Sequence, residues 1–256
     1  MKTSTPSLHI SQDRATNGLA AATLGAELLR NALGEKEEAS IIVATGASQL
    51  EMLSALIQQP DIAWDRVTIF HLDEYIGLPA THAAAFRLYL WSRFHRHLPV
   101  PPRAFHYIAG DREPEAECAR LAALIQDHNI DVCFAGIGEN AHLAFNDPPA
   151  DFANEKPYAI VNLDELCRRQ QLGEGWFPTL NDVPRQAISM SIRQILRSRS
   201  LIITVPDERK AVAVKNSLCG PVTPNVPASI LQTHPKVQVF LDSAAASLLE
   251  PSLSVA

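Results

Sequence analysis

Cysteine is scarce: Cys118, Cys133, Cys167 and Cys219 are spread over 256 residues with no C-x-x-C pair. That spacing argues against a zinc site and against a disulfide framework. Long apolar runs are missing as well. The longest, such as 201–205, fall far short of the roughly 20 residues needed to cross a bilayer. The opening stretch, MKTSTPSLHISQDRA, has no apolar core of the kind a secretion signal needs. Both absences place the chain in the cytoplasm, with no membrane partner. Nor is there an excess of basic charge, since 22 Lys and Arg stand against 28 Asp and Glu for a net charge of −6. Nothing in that balance favours nucleic acid as a partner, and an anionic substrate must be drawn by a focused site.

What remains is an ordinary globular composition with 46% hydrophobic residues, enough for a sizeable core. The length suits one domain over 1–256. Helix-like and strand-like segments alternate along it. Helices are expected over 18–33, 49–58, 83–95, 113–128 and 208–217, and strands over 40–45, 66–72, 131–137, 187–190, 201–205 and 237–241. This alternation predicts an α/β, Rossmann-like fold: a mainly parallel sheet with helices on both faces. The polar stretch around 162–184 reads as a long loop or a lid.

In such folds the ligand lies beyond the carboxyl ends of the strands, so the residues just after each strand are the informative ones. Thr45, Gly46, Ala47 and Ser48 follow the first, where backbone N–H groups and two hydroxyls suit a phosphate. Asp73, Glu74 and Tyr75 follow the second. In extended chain the two acids point to opposite sides, so one can serve as a general base while the other serves structure. A metal site from His71, Asp73 and His82 has no compact ligand spacing. Gly136 and Gly138 follow the third strand and lead to His142, a residue suited to proton transfer near neutral pH. Lys210 follows another and can reach a phosphate as a point charge. His95 and His97 read as surface residues. Each segment alone has a structural explanation, such as a helix cap, a solvated acidic turn or a core histidine, and only their convergence points to a site.

Taken in order, TGAS, LDEYIGLP, GIGENAHLAFNDP, ERKAVAVKNSLCGPV and PASILQTHPKV resemble the glucosamine-6-phosphate deaminase family over nearly the whole chain. The related 6-phosphogluconolactonases carry an arginine at the position of Tyr75 and lack the A-F-N after the histidine, so the chain sides with the deaminases. The resemblance implies that Thr45 to Ser48, Gly136, Gly138 and Lys210 hold a phosphorylated sugar. It also implies that His142 assists ring opening and that Asp73 moves a proton between C2 and C1, with no metal or organic cofactor. It implies a phosphate-binding arginine from the 162–184 stretch, either Arg168 or Arg169. Relatives carry an aspartate in place of Asn140 and a glutamate in place of Asp147, flanking the histidine. Those two departures bear on ring opening and ammonia release. A related isomerase, a lactonase or a non-catalytic sugar-phosphate sensor are the competing readings, and a homo-oligomer is left open. Ala150, Pro157 and Ala159 stand at the family's activator positions, so no activation by N-acetylglucosamine 6-phosphate is expected in a kinetic assay.

Overall fold

The computed structural model describes residues 5–250; residues 1–4, where the polar N-terminal stretch begins, and 251–256 lie outside it. The chain starts with β1 (Ser7–Ser11) and α1 (Arg14–Glu35). Asp13 caps α1 by accepting from the Thr16 amide at 2.8 Å. Its small and apolar residues Ala22, Ala26, Leu29 and Leu33, three or four apart, form the buried stripe. Then come β2 (Ala39–Val43), α2 (Leu50–Ile57), β3 (Val67–His71), β4 (Asp73–Tyr75), α3 (Phe86–Arg93) and β5 (Ala104–His106). The second half holds α4 (Pro114–Ile125), β6 (Val132–Ala135), β7 (Tyr158–Asn162), α5 (Glu165–Gly173), β8 (Gln186–Met190), α6 (Ile192–Leu196), β9 (Ser200–Val205), α7 (Ala211–Cys219) and β10 (Val237–Asp242).

Seven strands form a wholly parallel sheet in the order β1-β10-β9-β6-β2-β3-β5. Both faces are covered, as parallel strands require. Ile41, Val43, Ile69, Val132 and Phe134 face α1, α2 and α3. Their neighbours Ile42, Phe70, Cys133 and Ala135 point the other way, toward α4, α6 and α7. The expected α/β architecture is therefore present. Among the described residues no helix is long and apolar enough to cross a membrane.

Three expectations need correction. The strand expected at 187–190 is β8, and it lies outside the parallel sheet, as the middle strand of an antiparallel sheet ordered β4-β8-β7. Its apolar run looks the same in either setting, because periodicity reports burial and not pairing. The stretch around 162–184 is not a loop throughout. Asp164 accepts from the Cys167 amide at 2.6 Å and starts α5. That cap, followed by Glu165 and good helix formers, is the signal for this helix in the sequence. The strands β1, β4, β5 and β7 add to those expected. His95, expected at the surface, is half-buried in a ring stack with Phe105 and bonds Tyr107.

The second sheet matters for the site because the chain changes sheets at Leu72. The Leu72 amide still donates to Val43 of the parallel sheet, while its carbonyl accepts from Met190 of β8. Asp73, the next residue, pairs with Ser189. The crease between the sheets thus holds Asp73 at the carboxyl end of β3.

Candidate active site

An open cleft of about 670 Å3, its solvent mouth included, lies over the carboxyl ends of β9, β6, β2 and β3, four adjacent central strands. Thr45, Gly46, Ala47, Ser48, Asp73, Gly136, Gly138, His142 and Lys210 all line it. Segments far apart in the chain therefore converge as their positions after the strands predict.

The loop after β2 turns at Gly46, whose φ of 92° lies in the region that favours glycine. A short 3-10 turn, Ala47–Gln49, leads into α2, and no side chain caps its start. Its amide end is open toward the cleft, with Ser48 beside it. Lys210 comes from the turn after β9. It is only 7% exposed, and burial lowers its pKa. Among the described residues no carboxylate pairs with it within hydrogen-bond reach, and its amine lines the cleft.

Asp73 is the complementary case. It is 6% exposed, and burial, with the neighbouring Glu74 charge, pushes its pKa up to about 8. No donor among the described residues holds its carboxylate. Glu74 points away, as extended chain requires, and accepts from the amides of Tyr75, Phe86 and Arg87 at 3.0, 3.0 and 2.8 Å. It serves structure by fixing the start of α3. His71, likewise buried, accepts from the Ile108 amide. Burial drives its pKa down to about 3, so it stays neutral.

His142 sits in a tight loop whose neighbours Ala141 and Ala144 have φ of 65° and 51°. A Cβ on Gly138 would lie 2.3 Å from its ring, so only glycine lets the imidazole pack there. Its Nδ1 lies 2.9 Å from Asp147 Oδ1. Burial raises the Asp147 pKa, but bonds from His142, Asn140 and the Asp164 amide outweigh it and bring the pKa below the usual value. An ionised Asp147 assigns the proton to Nδ1 and leaves Nε2 free on the cleft side. Asp147 therefore reaches the histidine despite its short side chain. Asn140 lies behind the pair and not on the cleft wall; its Nδ2 donates to Asp147 at 2.9 Å and to Asp164 at 3.0 Å.

His142, Asp147 and Cys167 bring donor atoms within 4.8 Å of one another. The Nδ1–Oδ1 bond already joins two of them, and burial keeps Cys167 as a thiol, well above its ordinary pKa. His71, Asp73 and His82 do not come together as a comparable cluster among the described residues.

Arg168 and Arg169 do not reach the cleft. Arg168 turns back to donate to the carbonyls of Leu180 and Val183, and Arg169 pairs with Glu165 on the outer face of α5. The guanidinium groups that do line the cleft are Arg14 and Arg209. Arg14 bonds the Ala47 carbonyl at 2.7 Å and tethers the turn to α1. Arg209 is aimed by Asp207 at 3.0 Å. What α5 and its end present to the cleft is Gln170, Gln171 and Glu174. One carboxylate oxygen of Glu174 is buried without a partner, 3.9 Å from where a Cβ on Gly46 would stand. Two outcomes follow. Arg168→Ala is expected to lower stability by roughly 1–3 kcal/mol with KM unchanged. Glu174→Gln is expected to tighten binding of inorganic phosphate a few-fold, because it removes a negative charge beside the turn 45–48.

Known proteins resemble this chain along most of its length. Residues 12–240 match the family described as glucosamine-6-phosphate isomerases/6-phosphogluconolactonase. A glucosamine-6-phosphate deaminase of Streptococcus pneumoniae (strain Hungary19A-6) is 34% identical over 224 residues, covering 88% of this chain and 92% of that protein. One from Listeria welshimeri is 34% identical over 237 residues, 91% and 97% of the two chains. A solved monomeric glucosamine-6-phosphate deaminase superposes with a TM-score of 0.85 at 30% identity, covering 94% of this chain and 99% of its own. A putative 6-phosphogluconolactonase from Neisseria gonorrhoeae shares the fold, with a TM-score of 0.75 at 20% identity over 92% of this chain and 99% of its own. On this footing the chain belongs to the glucosamine-6-phosphate isomerase/6-phosphogluconolactonase family.

Proposed function

We propose that the chain catalyses the isomerising deamination of glucosamine 6-phosphate, or a close epimer, to fructose 6-phosphate and ammonia. The observation that carries this reading is one cleft holding three groups: an unpaired buried carboxylate at Asp73, a His142–Asp147 pair and a buried ammonium at Lys210. The cleft-lining turn 45–48, Gly136, Gly138 and Lys210 would receive the phosphate. Nε2 of His142 takes the proton from the C1 hydroxyl and returns it to the ring oxygen, which opens the pyranose. Asp73 then removes the proton on C2 and delivers it to C1, passing through an enolamine to a C2 imine. Water adds to that carbon, and the C2–N bond breaks as ammonia leaves. One water is consumed, so by its net bond change the reaction is a hydrolysis.

The names of the 34% identical relatives support the same choice. The test is to incubate the purified protein with glucosamine 6-phosphate and follow ammonia and fructose 6-phosphate together. Equal amounts of both, absent with Asp73→Asn, are expected. Saturable binding without ammonia, with hydrolysis of 6-phosphogluconolactone instead, would replace the deaminase by a lactonase.

A further inference from the structure

The residues behind His142 form a closed chain of hydrogen bonds that ends on α5. Both Nδ2 hydrogens of Asn140 are used, one on Asp147 at 2.9 Å and one on Asp164 at 3.0 Å. Its Oδ1 accepts from the His142 amide at 3.2 Å. Asp164 answers twice: its amide donates to Asp147 Oδ2 at 2.9 Å, and its other carboxylate oxygen caps α5. The amide of Asn140 therefore stands between two carboxylates that would otherwise repel each other. An acid at that position would put three carboxylates within hydrogen-bond reach.

We propose that Asp164 is a positioning residue for the His142–Asp147 pair, acting through Asn140, and that Asn140 and Asp164 are a matched amide–acid couple. The acid of that couple comes from another segment, the start of α5. The same residue that sets the imidazole also sets the helix whose Gln170 and Gln171 wall the cleft. Gln170 reinforces the link by accepting from the Glu139 amide at 2.9 Å. The proposal rests on His142 being the proton carrier of the reaction described above.

The test reads the histidine directly. His142 faces Asp147 and the Cys167 thiol on its Nδ1 side. Asp73, Glu174, Asp207, Arg14, Arg209 and Lys210 share its cleft, and Glu139 lies against Arg209 at the rim. Asp164→Asn keeps an equally good helix cap, so melting should change little. It removes one nearby negative charge and the acceptor for Asn140. The expected results are a displaced His142 Nδ1 resonance by NMR, because the bond to Asp147 is re-aimed, and kcat roughly tenfold lower with KM nearly unchanged. Asn140→Asp should also lower kcat, and adding Asp164→Asn to it should recover part of that loss. A wild-type His142 resonance and a wild-type kcat in Asp164→Asn would reduce Asp164 to a helix cap and end the proposal. A displaced His142 Nδ1 resonance in Asp164→Asn, in a protein that releases no ammonia from glucosamine 6-phosphate, would instead overturn the assigned reaction and leave the positioning role standing.

Discussion

Asp73→Asn is expected to abolish turnover, by about 10³-fold or more, while making the protein more stable at alkaline pH. Both effects have one cause. The carboxylate is buried without a donor, and its pKa is about 8 in the folded protein against an ordinary 3.8. Between those values the folded chain binds more protons than the unfolded one, so stability falls as pH rises from about 4 to about 8. Glu74, raised to about 7 mainly by burial, adds to the same trend. The amide variant never carries the charge at position 73. At pH 8.5 it should melt roughly 5 °C above the wild type, and at pH 4 the two should nearly coincide. With Asp73 as the proposed base, kcat/KM should climb about tenfold per pH unit and level off near pH 8. Binding of the sugar phosphate to the variant, measured by calorimetry, should be little changed. A variant that loses activity without gaining alkaline stability would mean that Asp73 is held by a partner and is not the free base.

Lys210→Met should weaken binding of the sugar phosphate ten- to hundredfold with a smaller loss in kcat. The ammonium is buried, and burial lowers its pKa. For a base with a lowered folded pKa, stability rises with pH toward the unfolded value of 10.5, so at neutral pH the charge is a cost. An anion in the cleft offsets that cost. Inorganic phosphate should therefore raise the melting temperature of the wild type and leave Lys210→Met nearly unmoved. Unaltered affinity in the variant would transfer the phosphate to Arg14 and Arg209.

Much of this site is legible in the sequence, because in an α/β fold the position after a strand is itself a functional address. Thr45 to Ser48, Asp73, His142 and Lys210 are placed that way, and the opposed directions of Asp73 and Glu74 follow from extended geometry alone. Asp147 marks the limit. Its sequence spacing from His142 leaves the contact open, and only the left-handed turns at Ala141 and Ala144 bring the carboxylate to 2.9 Å. Neither Arg168 nor Arg169 meets the role expected of one of them, since the carbonyls of Leu180 and Val183 hold the first and Glu165 the second.

Alternating periodicity, strand ends and a few residue types are enough to determine the parallel α/β sheet, the edge on which the cleft opens and the residue classes gathered there. Tertiary structure alone decided the antiparallel sheet that turns Asp73 into the crease, the entry of Arg14 from α1, and the bonding of Asn140 to Asp164. Local periodicity reports which face of an element is buried. It carries no record of what is packed against that face from 24 residues away, as Asp164 is from Asn140, or from across the whole chain.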